Sequence, residues 1–167
     1  VLYLTPRREV GRMAFALSEI GARYTLDDIL GTAPQIEALK EFVRKAAQTA
    51  SNVLIEGEPG TGKALVAQAI HNASDRWHQP FVAIHCAAIP EELLESELFG
   101  HVRGSFTGAI AHKVGLLEVA RGGTVLLDEV AETSPRLQVK LLRFLQDHIF
   151  RRVGGTDDIE VDVRMMA

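Results

Sequence analysis

A glycine-rich segment in the first half of the chain limits what this sequence can fold into. It follows the pattern G-x-x-x-x-G-K and reads Gly57, Glu58, Pro59, Gly60, Thr61, Gly62 and Lys63. The apolar run before it predicts a strand, and a helical pattern begins at Lys63. Glycines let successive N–H groups turn inward, and a helix N-terminus adds partial positive charge. This order predicts a phosphate-binding loop in which Lys63 supplies a full positive charge.

The residue after this loop departs from the usual pattern. Such loops normally continue with Ser or Thr, whose hydroxyl binds Mg²⁺. This chain has Ala64 instead. Magnesium would then need water or another carboxylate in that place.

From Asp27 onward, apolar strands alternate with helices. Strands are predicted at 53–55, 81–84, 124–127 and 161–166, and helices at 35–47, 63–73, 91–98 and 136–147. This alternation implies an α/β fold with a parallel sheet covered by helices on both faces. Because the sequence stops at a buried strand, we expect a domain that is incomplete at its C-terminus.

Residues 1–23 are interpreted as an N-terminal appendage to a core that spans 24–167. Apolar residues fall at helical spacing from Val10 to Ile20, and Gly21 ends the pattern, which predicts a helix. Two roles stay open at this point. The helix could pack on the core or on a second copy, or it could be a linker from an upstream regulatory domain.

Two adjacent acidic residues, Asp128 and Glu129, follow an apolar run. We expect Asp128 to emerge at the carboxyl end of a parallel strand, where such sheets bind ligands, and to hold Mg²⁺ through water. Glu129 is then placed to orient and deprotonate an attacking water. The pattern alone also fits a strand that ends in a solvated turn. Downstream of a phosphate loop it favours a catalytic pair.

Composition narrows the remaining possibilities. With 167 residues, 47% of them hydrophobic and 24% charged, the chain is typical of one soluble globular domain. A formal net charge of -4 argues against a broad nucleic-acid-binding face. The single cysteine, Cys86, is interpreted as a reduced core residue. No apolar stretch is long enough for a membrane helix, and we expect a cytoplasmic location.

A second loop provides the most specific motif of the chain. It reads Gly104, Ser105, Phe106, Thr107, Gly108 and Ala109. From about Tyr24 to the end, the sequence resembles the AAA+ central domain of sigma-54-dependent transcriptional activators, also called bacterial enhancer-binding proteins. The loop is similar to their G-A-F-T-G-A loop, with Ser105 in place of Ala. Three further segments are similar to family landmarks in the family order: 95–101, 138–143 and 152–155.

The resemblance implies a P-loop NTPase fold that binds ATP and Mg²⁺ and hydrolyses ATP to ADP and phosphate. It also implies a homo-oligomeric ring, a hexamer, in the complete protein. Loop 104–109 would contact sigma-54 when ATP is bound, so that the ring remodels the closed complex of sigma-54 RNA polymerase. Contact with DNA would come only through a domain absent here, and no membrane is involved.

The resemblance also assigns roles to single residues. Ile29 and Leu30 lie in the segment that packs near the adenine. His85 occupies the position of an Asn that, in the family, is thought to hold the catalytic glutamate until the partner engages. His85 can hydrogen-bond Glu129, and its charge would change near neutral pH.

Some parts of the family fold are expected beyond Ala167: the sensor asparagine, the arginine fingers, the helical lid and a fifth strand that pairs with 53–55. Hydrolysis by this sequence alone should therefore be weak or absent, and the edge at 53–55 should be open. Arg143, Arg151 and Arg152 are the remaining candidates to act across a subunit boundary, and Arg152 is the favoured one.

Two other functions are compatible with the sequence. Ala64 and His85 suggest a nucleotide-gated binding module with little turnover. Another P-loop machine, such as a helicase loader or a chelatase subunit, would share the phosphate loop, but the 104–109 loop argues against it.

Overall fold

The computed structural model describes residues 18–167, which form a central sheet with helices on both faces. The strands are β1 Ser18–Ile20, β2 Phe81–His85, β3 Thr124–Asp128, β4 Ile149–Phe150, β5 Ile159–Glu160 and β6 Arg164–Met166. The helices are α1 Pro34–Ala47, α2 Lys63–Asn72, α3 Glu91–Phe99, α4 Leu116–Val119 and α5 Pro135–Asp147. Short 3-10 turns cover Leu26–Asp28, Cys86–Ala88 and Val130–Glu132. None of these helices has the length and apolar composition that crossing a membrane requires.

The central sheet has the strand order β1-β2-β3-β6. Strands β2, β3 and β6 are parallel, whereas β1 runs antiparallel to β2 at one edge. Strands β4 and β5 form a separate antiparallel pair. The predicted α/β class with a parallel sheet is confirmed.

Successive side chains of the strands point to opposite faces of the sheet and so divide the core into two clusters. On β3, Val125 and Leu127 belong to the cluster beneath α3, α4 and α5, which also contains Phe99 and Phe144. Leu126 points the other way, into the cluster beneath α1 and α2. The central strands are apolar throughout because both of their faces are covered.

The predicted helix over residues 10–20 is wrong for its last three residues. Ser18–Ile20 forms strand β1, and Ile20 lies opposite Val82 of β2. The edge of β2 provides backbone hydrogen-bond partners for this segment. Pairing with β2 therefore determines its conformation, although the apolar residues fall at helical spacing. Residues 10–17 lie outside the described part of the chain.

The predicted strand at 53–55 is reduced to one bridge, in which Val53 pairs in parallel with Met166. Its backbone still follows β6, because Val53 N–H donates to Met165 O at 3.1 Å and Ile55 N–H donates to Ala167 O at 2.6 Å. No described residue pairs with the other side of this segment, and Leu54 is 66% exposed. An edge with one neighbour explains the shortened strand.

Phe144 tests the core beneath α5. Its side chain is fully buried, and its ring lies 5.8 Å from that of Phe150. Phe144→Ala should lower the free energy of unfolding by ~3–5 kcal/mol, because it removes packed apolar surface and leaves a cavity. Urea denaturation measures this change. Leu142→Ala is the control on the same helix: Leu142 is 54% exposed, and we expect a change within about 0.5 kcal/mol. Equal losses for the two variants would contradict the packing.

Candidate functional site

A cavity of about 670 Å³ lies between the phosphate loop and the carboxyl end of β3. The loop contributes Gly57, Pro59, Lys63 and Ala64 to its walls, and β3 contributes Asp128 with Glu129 directly after it. The structure thus brings the predicted phosphate loop and the predicted acidic pair to one cavity.

The phosphate loop turns into α2 at Gly62, whose φ of 90° lies in the left-handed region that side chains disfavour. Among the described residues, nothing accepts a hydrogen bond from the N–H groups of Gly60, Gly62, Lys63 or Ala64. Lys63 Nζ donates to Gly57 O and Glu58 O, each at 3.0 Å. Free N–H groups at a helix N-terminus and a nearby ammonium are a donor set suited to phosphate oxygens.

The acidic pair is positioned by the register of β2 and β3, in which His85 lies opposite Asp128. Parallel strands end at the same edge of a sheet, so both residues lie at this edge. Glu129 follows with a φ of 55°, a left-handed conformation that is uncommon for a residue other than glycine. This turn leaves β3 sharply and exposes 41% of the Glu129 side chain. Strained backbone of this kind is frequent at active sites.

His85 lies between the two carboxylates. Its Nδ1 is 3.5 Å from Asp128 Oδ2, and its Nε2 is 3.5 Å from Glu129 Oε2. These distances exceed those of a good hydrogen bond, but the imidazole needs to move only slightly to form one. The position therefore permits the predicted contact with Glu129, and also one with Asp128.

Cys86 lies behind the site and is buried. Burial, and then the negative charges of Asp128 and Glu129, raise the pKa of its thiol to about 11. The thiol therefore stays protonated near neutral pH, which makes it a poor nucleophile and metal ligand.

The oxygen atoms at the site can be compared with the ligands that Mg²⁺ requires. The Asp128 carboxylate is about one third exposed and lines the cavity, and carboxylate oxygen is what Mg²⁺ prefers. Ala64 lines the same cavity but supplies no oxygen. The site fits Mg²⁺ that is held by Asp128, water and substrate phosphates.

None of the residues of loop 104–109 lines this cavity. Phe106 is 40% exposed, and its ring packs edge-on against that of His101 at 5.0 Å. The loop closes through Gly104 N–H, which donates to Ala109 O at 2.8 Å. Phe106 is thus neither a core residue nor fully free.

Arg152 forms an ion pair with Glu118 of its own chain. Its Nη2 donates to both carboxylate oxygens of Glu118, at 2.9 and 2.7 Å, and both side chains are mostly buried. A contact across a subunit boundary remains a prediction, and it would require this ion pair to open. Arg143 is exposed, whereas Arg151 is paired with Asp158 at 2.6 Å.

Two predicted residues lie away from the cavity, and other residues join it. Ile29 is buried in the core beneath α1, whereas Leu30 is 84% exposed. Neither is among the described residues that line the cavity. Ala87 and Glu132 do line it. No sequence motif marks them, because the short turns that carry them lack a periodic pattern.

The sequence matches the family model of the "Sigma-54 interaction domain" over residues 29–167. It is 54% identical to the Nif-specific regulatory protein of Rhizobium etli over 141 residues. The aligned segment covers 84% of this chain and 24% of that protein. It is 52% identical to the transcriptional activator RocR of Bacillus subtilis over 144 residues. The aligned segment covers 86% of this chain and 31% of that protein. The chain thus spans about a quarter to a third of the length of these relatives.

Solved structures agree in fold. NtrX from Brucella abortus in complex with ATP superposes with a TM-score of 0.74 at 43% identity, covering 82% of this chain and 29% of that one. The P-loop NTPase domain of the "Sigma-54 transport activator" from E. coli superposes with a TM-score of 0.52 at 17% identity, covering 82% of this chain and 75% of that one. The second likeness supports the fold alone.

Lys63 tests the phosphate site. Lys63→Ala should abolish measurable ATP binding, because the phosphates lose the only side-chain cation that the loop supplies. Isothermal titration calorimetry measures the affinity, and Lys45→Ala, at a lysine that is 73% exposed on α1, is the control that should bind normally. Undiminished affinity of Lys63→Ala would refute the phosphate-loop assignment.

Proposed function

The chain belongs to the family of sigma-54 interaction domains, and on that premise we propose that it is the ATP-hydrolysing core of a transcription activator that remodels the closed complex of sigma-54 RNA polymerase. The observation that carries the proposal is the single cavity shared by Lys63, Asp128 and Glu129. In the proposed assembly, a homo-oligomeric ring, a hexamer, acts in the cytoplasm and reaches DNA through another domain.

Each side chain has a distinct part in the proposed reaction. The free N–H groups of the phosphate loop and Lys63 bind the β- and γ-phosphates of ATP. Asp128 would hold Mg²⁺ through water, and the ion would supply positive charge that neutralises the phosphates. Glu129 orients the attacking water and accepts its proton.

His85 adjusts this arrangement through its position between the carboxylates. A hydrogen bond to Glu129 would turn that carboxylate away from water until contact with a partner releases it. Because His85 also faces Asp128 at 3.5 Å, it can affect metal binding as well as base catalysis. An asparagine at this position has a shorter side chain and carries no charge.

Glu129→Gln in the full-length protein should retain ATP binding and lose turnover, because an amide cannot accept the proton of the attacking water. General-base catalysis contributes about 10²–10⁴-fold, so the rate of phosphate release should fall at least that far. Glu160→Gln, at an exposed glutamate of β5, is the matched control and should hydrolyse normally. Normal hydrolysis by Glu129→Gln would mean that another residue is the base.

We assign the contact with sigma-54 to loop 104–109, because it is separate from the cavity and presents an apolar side chain. Aromatic anchors of this kind dominate many protein interfaces. The ring of Phe106 rests on His101 and remains 40% exposed. It therefore already presents part of its apolar surface to a partner.

Phe106→Ala, or deletion of Thr107, should leave nucleotide binding intact and ATPase activity broadly preserved in the full-length protein. Both changes should abolish stable contact with sigma-54 and open-complex formation, because the anchor is lost or misplaced. Phosphate release and sigma-54 retention with a transition-state mimic of ATP are measured on the same samples. Phe42→Ala, at a phenylalanine that is 54% exposed on α1, should retain both activities.

The two possible failures of this test have different meanings. Loss of both activities in Phe106→Ala would show that the ring supports the fold. Loss of neither would show that this loop does not couple hydrolysis to sigma-54.

A nucleotide-gated binding module with little turnover is the second candidate function. It is favoured by Ala64, which supplies no oxygen to Mg²⁺, and by His85, which faces both carboxylates. Phosphate release by the full-length protein separates the candidates: steady turnover supports the ATPase, and ATP binding without turnover supports the module.

A further inference from the structure

A second cavity, of about 360 Å³, lies at the opposite end of the sheet from the phosphate loop. It is lined by the end of α1, the turn after α2 and the first residue of β6, and no motif of the sequence points to it. Its polar lining residues are Gln48, Thr49, Ser74, Asp75, Arg76 and Arg164.

Arg164 is unusual because its charge is buried without an acidic partner. The residue is 2% exposed. Its Nε donates to Ser51 O at 2.9 Å, and its Nη2 donates to Ala46 O at 2.7 Å. Within residues 18–167, no carboxylate lies within 4.0 Å of its guanidinium, and no atom accepts a hydrogen bond from Nη1. Buried charges are normally paired, because a guanidinium loses much hydration on burial.

Arg76 adds a second positive charge to the same cavity. Its Nη1 donates to Gly123 O at 3.3 Å, and this carbonyl also accepts from the backbone N–H of Arg164. Arg76 already has a counter-ion, since its Nη2 lies 2.9 Å from Asp162 Oδ1. Burial, followed by repulsion from Arg76, lowers the pKa of Arg164. Of the two arginines at this cavity, Arg164 is therefore the one without a counter-ion among the described residues.

Two kinds of group at this cavity could repel an anion: the carboxylate of Asp75 and the carbonyl oxygens at the helix ends. Asp75 lines the cavity, but it is exposed and forms no ion pair with a described arginine. Two helices end here, and one carbonyl in the last turn of each has a side-chain donor: Thr49 Oγ1 donates to Ala46 O, and Ser74 Oγ donates to His71 O. These hydrogen bonds reduce the negative potential that helix C-termini would otherwise contribute.

We propose that this cavity binds a small oxyanion, inorganic phosphate or an ion of the same shape and charge, which serves as the counter-ion of Arg164. The free N–H groups of the guanidinium would donate to the anion oxygens in the planar geometry that arginine offers to phosphate. The amide of Gln48 is a further hydrogen-bond donor on the wall, whereas the hydroxyl hydrogen of Ser74 is already donated to His71 O. This site is separate from the nucleotide cavity and does not depend on ATP hydrolysis.

The test uses thermal unfolding of the chain with Lys63→Ala, which weakens phosphate binding at the phosphate loop. Inorganic phosphate is titrated at constant ionic strength, with sodium chloride as the balance. A ligand that binds only the folded state raises the midpoint of unfolding with its concentration. We expect a saturable rise beyond the effect of chloride.

Two matched substitutions locate the effect. Gln48→Glu places a carboxylate on the wall of the cavity, so the apparent Kd for phosphate should rise roughly ten- to hundredfold as the built-in charge competes for Arg164. Gln35→Glu makes the same change at the exposed start of α1 and should leave the phosphate response unchanged. Arg164→Gln should abolish the response if it folds, and Gln48→Glu keeps the test valid if it does not.

Two results would overturn the proposal. One is a phosphate titration that matches the chloride control. The other is an equal response in Gln48→Glu and Gln35→Glu, which would place the bound phosphate elsewhere on the protein.

Discussion

The parallel pairing of β2 with β3 is the constraint on which the rest of the structure depends. The pairing requires close backbone contact at its start, where a Cβ on Gly123 would lie 2.0 Å from Pro80 O. Only glycine fits there, and Thr124 N–H then donates to the same carbonyl at 2.9 Å. At the other end, this register sets His85 opposite Asp128. A shift of one residue would turn the Asp128 side chain to the other face of the sheet, away from its present side of the cavity.

The backbone turns at the ends of the strands complete the site. Left-handed conformations occur at Gly62, where the loop enters α2, and at Glu129, where the chain leaves β3. At Gly62 the left-handed conformation causes little strain because glycine has no side chain, whereas at Glu129 the same conformation is strained. The turn takes the backbone out of the strand conformation directly after Asp128. Asp128 and Glu129, the proposed metal-binding acid and the proposed base, thus have different backbone conformations even though they are adjacent in sequence.

The sequence was sufficient for the elements whose pattern repeats over several turns or strand residues. The ends of α1, α2, α3 and α5 fall within one residue of the predicted limits, because apolar periodicity and caps act together, as with Ser134 and Pro135 at the start of α5. Segments whose state depends on a distant neighbour could not be predicted. Strand β1 forms only against β2, and 53–55 is limited to a bridge because it has one partner. Arg164 lies in an apolar strand pattern, and nothing local reveals that its charge is buried without a carboxylate.

The same dependence on distant contacts explains how the 104–109 loop is held. Its two ends come from segments that bridge each other, since His101 pairs with both Lys113 and Val153. Gly154 then approaches so closely that a Cβ there would lie 2.5 Å from Ser105 Cβ, and its φ of +73° also favours glycine. The buried Oγ of Ser105 has no hydrogen-bond partner among the described residues, so the hydroxyl contributes no hydrogen bond to this packing. Support for the loop therefore lies at its base, whereas Phe106 at its tip is held mainly by His101. A displacement of the 152–155 segment would reach the loop through Gly154 without passing through the phosphate site.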